Sequence, residues 1–281
     1  MAELAALIGS THSPWYPRKT SVPEAERDEG GKSLADWASR VKAVTERAQP
    51  DAIVIVASDH FHQFSPNNMP QWAIGRMDSY EGTFYNEKRE FGIPEVTIPG
   101  HRQLSTDIIE ASFALGFDLA FSDELRLDHA CVVPSLMTQP QLDIPVVPIL
   151  TNTGFAPMPP AKRFWQLGEA LKAVIEGTTS VERIMVIASG NLSQEVGGPA
   201  QMLPQAIDAE FDELAVGWIK ARDHDTLTSE LTFERMLRSG NGTFQFMNLI
   251  TMAAMQGDLD IVMAQGSGGR GTSRPCFIYE P

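Results

Sequence analysis

Apolar residues recur along this chain in two rhythms, and each change of rhythm marks an element. Leu4 to Gly9 and Ala52 to Ala57 are nearly unbroken apolar runs, the pattern of strands covered on both faces. Pro145 to Leu150 and Arg183 to Ala188 read the same way, and Asp118 to Phe121 predicts a shorter strand. Between these runs the period lengthens. Leu34, Trp37, Val41 and Val44 share one face of a helix predicted over Ser33 to Ala48, which Pro50-Asp51 ends. Arg102 to Leu115 and Pro160 to Glu176 predict further helices, the second with proline at a favoured first-turn position. Asp128-His129-Ala130-Cys131 opens a buried helix.

Beyond position 190 the pattern is helical over 205–221, 226–238 and 243–256, with a break near Leu231. Asp260 to Ala264 predicts an edge strand, and Gly266 to Gly271 a Gly/Ser-rich turn before the tail. Residues 15–31 read as an exposed loop. Residues 62–100 read as a long irregular functional region, because Trp72, Tyr80, Phe84, Tyr85 and Phe91 recur among its Pro, Asn and Gly. Strand–helix alternation predicts an α/β fold, with a central mostly parallel mixed sheet flanked by helices. No repeat or linker divides the chain, so residues 1–281 are expected to form a single domain.

Charge narrows the partners. The net charge of −14 argues against nucleic acid or an anionic membrane as partner. The two cysteines, Cys131 and Cys276, make neither a disulfide framework nor a metal motif. The start of the chain lacks a signal-peptide pattern, and no run approaches the roughly 18 apolar residues of a membrane span. A cytoplasmic protein is expected.

The candidate chemistry lies in histidines. His12 follows Gly9-Ser10-Thr11 and His60 follows Ala57-Ser58-Asp59, so both stand at strand ends. Open α/β sheets bind ligands at that edge, and two imidazoles from neighbouring strands can converge on one metal ion. His62 would share the face of His60 in an extended segment. His101 precedes a helix as a capping or loop residue, and His224 reads as solvated surface.

Seven segments carry a resemblance in order and spacing. They are Ser10-Thr11-His12-Ser13-Pro14, Ser58-Asp59-His60, Gln71-Trp72-Ala73-Ile74-Gly75, Gly100-His101, Asp128-His129-Ala130-Cys131-Val132-Val133-Pro134, Ser189-Gly190-Asn191-Leu192-Ser193 with Gly198-Pro199, and Ser239-Gly240 before a helix. Over nearly its whole length the chain resembles the class III extradiol dioxygenases, the superfamily of the protocatechuate 4,5-dioxygenase β subunit. The resemblance implies non-haem Fe(II), with His12 and His60 as ligands and an aromatic, catechol-like substrate. It implies that His129, His62, Asn191 and Ser193 line the substrate site, His129 also acting in catalysis. Two positions depart from the family pattern. Gln245 stands where the family has its glutamate ligand, and Gln194 where it has its acid–base histidine. Glu195 and Asp59 are candidate compensating carboxylates, Asp59 more simply a partner orienting an imidazole. Three functions follow as expectations: a dioxygenase with a diverged site, a catalytically silent subunit beside a paralogous partner, or an aromatic-binding protein with non-oxidative chemistry. A homo- or hetero-oligomer is expected in each case.

Overall fold

Four strands supply the frame that positions the histidines. In the computed structural model, which describes residues 1–203, 207–269 and 271–281, β1 (Glu3–Ser10), β2 (Ala52–Ser58), β7 (Val146–Thr151) and β8 (Arg183–Ser189) run parallel in the order β7-β2-β8-β1. Alternation explains their apolar runs. Leu7, Val54, Val56 and Val186 enter one core layer, and Ile8, Ile53, Ile55 and Ile187 enter the layer on the opposite face. Both faces are dry, so no polar alternation survives in the sequence.

Antiparallel strands complete the eight-stranded sheet. On one side β3 (Trp72–Gly75) pairs with β7, and β6 (Ala120–Ser122) forms the edge. On the other, β10 (Thr272–Glu280) lies between β1 and β9 (Asp260–Gly269). The short strands β4 (Ser79–Gly82) and β5 (Val96–Pro99) form a separate pair. One layer of helices holds α2 (Glu29–Ala48) and α5 (His129–Thr138), with the short α1 (Tyr16–Thr20) and α3 (Tyr85–Phe91) beside them. The other holds α4 (Arg102–Ala114), α6 (Ala161–Gly177), α7 (Ala209–Ala221), α8 (Phe233–Arg238) and α9 (Met247–Met255).

The architecture is the α/β sheet that the rhythms predict, with several local corrections. The region 62–100 is ordered as β3, β4, α3 and β5. The expected tail is the interior strand β10. The expected Gly/Ser turn extends β9 to Gly269, because each residue from Gly266 to Gly269 pairs with β10. A Gly run carries no β propensity, and it is strand here because its neighbour's backbone bonds it. Within the region expected as loop over 15–31, α1 forms and α2 starts early at Glu29. The helix expected over 205–221 starts at Ala209, positions 205 and 206 lying outside the described residues. The break expected near Leu231 separates a π-helical turn, Thr226–Glu230, from α8.

Candidate metal centre

The four parallel strands end on hydroxyl residues, Ser10, Ser58, Thr151 and Ser189. Asn248 of α9 ties three of these ends together. Its Nδ2 donates to Ser58 Oγ (3.1 Å) and to the Ser189 carbonyl (2.9 Å), and its Oδ1 accepts from Thr151 Oγ1 (2.8 Å). The loops leaving this floor carry the candidate side chains.

His12 leaves the end of β1 with its ring buried. Its Nδ1 lies 2.8 Å from Ser189 Oγ, which donates its own proton to the Ala130 carbonyl at 2.7 Å. A serine hydroxyl has one hydrogen, so it must accept from His12 Nδ1–H, and Nε2 keeps its lone pair. His60 leaves β2. Asp128 Oδ2 accepts from both its backbone N–H and its Nδ1, each at 3.0 Å. The other Asp128 oxygen caps α5 through the amide of Ala130 (2.8 Å). His129 is the first residue of α5, and Glu87 Oε1 accepts from its backbone N–H (2.9 Å) and from Nδ1 (2.6 Å). Glu87 is 1 % exposed, and its Oε2 accepts from the Phe84 amide (2.9 Å) at the start of α3. Three rings are thus oriented from behind through Nδ1–H, which leaves Nε2 as the lone-pair nitrogen of each neutral ring.

The rings converge. Centroids lie 5.2 Å apart for His12–His60, 5.4 Å for His12–His129 and 4.1 Å for the stacked pair His60–His129. One ring nitrogen from each lies within 4.8 Å of the others. Burial, then the neighbouring His60 and His129, hold the proton affinity of His12 well below the usual imidazole range. Burial and His60 lower that of His129 against the pull of Glu87 and Asp128. Burial works against charge on His60 too, but Asp128, then Asp59 and Glu87, outweigh it and raise the ring's affinity. Burial would raise the Asp128 carboxyl, yet His60, His129 and the hydrogen bonds hold it far below the usual carboxylate range. Neutral imidazoles whose far nitrogen is held by a carboxylate or hydroxyl are a donor set suited to a divalent first-row cation. The residues fit Fe(II) in that sense.

A second wall faces the rings and is made of amides. Asn191 follows β8, and its Nδ2 donates to Gln245 Oε1 (2.6 Å) and Gln194 Oε1 (2.9 Å), lying 3.4 Å from His12 Nε2. Gln245 Nε2 lies 2.9 Å from His60 Nε2. A Cβ at Gly190 would sit 2.5 Å from the Gln245 carbonyl oxygen, and one at Gly242 would sit 2.5 Å from Gln194 Oε1. The two amide-bearing loops close only because those positions lack side chains.

Other expected residues stand elsewhere. Asp59 does not orient an imidazole; it accepts the amides of Gln63 and Phe64, both at 3.1 Å, and Asp128 takes the orienting role. Successive side chains of an extended segment point opposite ways, which turns Asp59 away from its neighbour. Glu195 does not enter the site, since its Oε2 accepts the Asn241 amide (3.1 Å). Ser193 spends its N–H and Oγ on Asp212 (2.7 and 2.9 Å), anchoring the loop to α7 and facing away from the rings. Phe61 has φ +60°, so the chain turns between His60 and His62 and the two do not share an extended face. His62 stacks on Phe84 (4.3 Å) with Nε2 3.7 Å from Glu87. His101 caps α4 through the Leu104 amide (3.1 Å), and His224 is an exposed partner of Asp225. Sequence reasoning missed Asp128, Glu87 and Ser189 as ring partners. The position of Glu87 at the third residue of α3, where a capping carboxylate is favoured, was the available signal.

Comparison with known proteins gives the family and the fold. The family described as the catalytic LigB subunit of aromatic ring-opening dioxygenase matches residues 6–268. A protein of Paraburkholderia xenovorans (strain LB400), named 2,3-dihydroxyphenylpropionate/2,3-dihydroxicinnamic acid 1,2-dioxygenase, is 30% identical over 62% of this chain and 52% of its own length. A protein of the same name from Mycobacterium sp. (strain MCS) is 29% identical over 77% of this chain and 64% of its own. The matched region therefore spans little more than half of such relatives. Uncharacterized protein JW3007 from Escherichia coli K12 shares the fold, with TM-score 0.65 at 17% identity over 98% of this chain and 99% of that one. Among the described residues no helix is long and apolar enough to cross a membrane. With 263 of its residues' span, 6 to 268, covered by one family, the chain belongs to the LigB family of class III extradiol dioxygenases.

Proposed function

We propose that this chain is a ring-cleaving, extradiol-type dioxygenase that opens a catechol-like aromatic with non-haem Fe(II) held by His12 and His60. The observation that carries this reading is the convergence of those two rings, each oriented from behind, at the carboxyl edge of a family sheet. When bound, Fe(II) supplies the redox chemistry that couples an electron-rich ring to dioxygen. The chain's own part is orientation and hydrogen bonding. Ser189 and Asp128 hold the Nδ1–H of His12 and His60, which aims Nε2 of each neutral ring inward. Gln194 donates a hydrogen bond to substrate oxygen through its NH2, Asn191 fixes the two glutamine amides from between them, and His62 stands at the rim. Gln245 has its NH2 towards His60, so it offers its oxygen to a cation only after its amide turns over. Gln194 has no proton to exchange, and loss of acid–base help costs about two to four orders of magnitude in rate. Slow turnover follows. The protein works as a homo- or hetero-oligomer in the cytoplasm in this reading.

The test is oxygen uptake by anaerobically Fe(II)-loaded protein across a panel of catechols, gallates and aminophenols. Uptake with ring-opened product supports the reading; none at full iron occupancy overturns it. The two uncharged positions, Gln194 and Gln245, favour a second reading, a silent subunit beside an active paralogue, for which iron content after reconstitution stays well below stoichiometric. For the non-oxidative alternative, Gln245→Glu combined with Gln194→His creates ring cleavage where the native chain has none.

A further inference from the structure

We propose that the third protein ligand of the cation is His129, so that the site is built from three imidazoles and Gln245 lies outside the ligand set. This deepens the reading above and rests on it, since it needs a cation between His12 and His60.

Three observations carry it. The first is convergence: a ring nitrogen of His129 lies with those of His12 and His60 inside one 4.8 Å span. Metal–nitrogen bonds of about 2.0–2.1 Å place ligand nitrogens roughly 3–4 Å apart, which small rotations about the existing hinges reach. The second is what each free nitrogen touches. His60 Nε2 accepts from Gln245 and His12 Nε2 faces Asn191. Among the described residues, no hydrogen bond engages His129 Nε2, while Glu87 holds the opposite nitrogen at 2.6 Å. It is a half-buried lone pair, fixed in direction and without a partner in the chain. Gln245 is the reverse case. Its oxygen is taken by Asn191 at 2.6 Å and its NH2 is aimed at the rings.

The third observation is charge. A glutamate ligand would bring one negative charge to the cation, and Gln245 brings none. The chain instead buries two carboxyl groups one hydrogen bond behind the rings, Asp128 (4 % exposed) on His60 and Glu87 on His129. Each carboxyl group accepts the Nδ1–H of a ring that faces the cation, the arrangement that orients a metal-ligating histidine. Taking His129 out of the ligand set would leave Glu87 serving no cation. An all-nitrogen set of neutral donors selects borderline cations such as Fe(II), Co(II) and Zn(II), and excludes the oxygen-seeking Mg(II) and Ca(II).

Cobalt reports on the ligands directly. In the Co(II)-loaded full chain, each coordinated imidazole with a protonated far nitrogen gives one strongly shifted exchangeable proton signal in the NMR spectrum. Three such signals are expected in the native chain, and that count stands whether or not any variant folds. His129→Gln should remove one signal and weaken Co(II) binding about 10–100-fold, whereas Gln245→Ala should keep three signals with affinity changed less than about threefold. Two signals in the native chain, or binding lost in Gln245→Ala and kept in His129→Gln, overturns the assignment of His129 while leaving the His12–His60 pair intact. Failure of the native chain to take up Co(II), Zn(II) or Fe(II) overturns both.

Discussion

The two walls of the site contrast in how they hold their side chains. His12, His60 and His129 are each fixed by a group from a distant part of the chain: Ser189, Asp128 and Glu87. Asn191, Gln194 and Gln245 are fixed by one another. Carboxyl groups bond two of the histidine rings directly from behind, whereas the amides bond one another and Asp212 reaches their wall through Ser193. Groups held by remote carboxylates keep one tautomer and one direction whatever approaches them. Amides that hold each other can reverse together, because each can donate or accept. In the proposed function the histidine wall takes the cation, and the amide wall faces neutral or anionic oxygen.

The contrast can be broken most severely at Asp128. Asp128→Ala leaves the His60 amide and ring unpaired and uncaps α5. A hydrogen bond to a charged group contributes about 1.5–3 kcal/mol, and with three N–H groups losing their acceptor urea denaturation of the metal-free protein should show a loss at or above the top of that range. Next comes Glu87→Gln. An amide can accept from only one of the two groups that Glu87 now serves with its two oxygens, and its NH2 then opposes the Phe84 N–H or the His129 Nδ1–H. Cation affinity should fall about 10–100-fold, measured by competition with a chromophoric chelator. Gln245→Glu sharpens the contrast by putting charge on the neutral wall. The Coulomb gain against a divalent cation, about 8 kcal/mol at 4 Å and an effective dielectric of 20, is largely offset by desolvation. A tightening of about tenfold is expected in the same titration.

The smallest effect is on pH dependence, and it has opposite signs on the two walls. Asp128 binds its proton more weakly in the folded chain than in the unfolded one. Its stabilisation is present above the ordinary carboxylate range and is lost as the pH falls below about 3.9. Asp212, which anchors the amide wall through Ser193, is raised by burial despite its bonds to Ser193. Its contribution is fullest below that range and is lost as the pH rises through its raised value. Asp128→Asn should thus flatten the fall in urea midpoint between pH 6 and pH 3, and Asp212→Asn should steepen it.

The sequence makes the frame legible because both faces of β1, β2, β7 and β8 are dry, so each is a run that no surface element would carry. Strand β10 escapes because Arg274 and Pro275 interrupt it, and a proline inside a run argues against an interior strand. It forms because β1 and β9 pair with it on either side. Within the site, His12 and His60 are legible from their place after apolar runs. Their partners are not. Asp128 lies 68 residues from His60 and Glu87 lies 42 from His129, separations at which local periodicity says nothing about contact. Proximity in sequence instead favours Asp59 and Glu195, and the direction of each side chain sends both to backbone amides.

The bare backbone at Gly190 sets the thickness of the gap between the turn after β8 and the turn before α9. Even one methyl group there would act as a shim, spreading Asn191 from Gln245 and widening the mouth of the site for the proposed aromatic ring. A library randomised at position 190 and selected for tight aromatic binding should therefore return glycine alone, while neighbouring loop positions diversify.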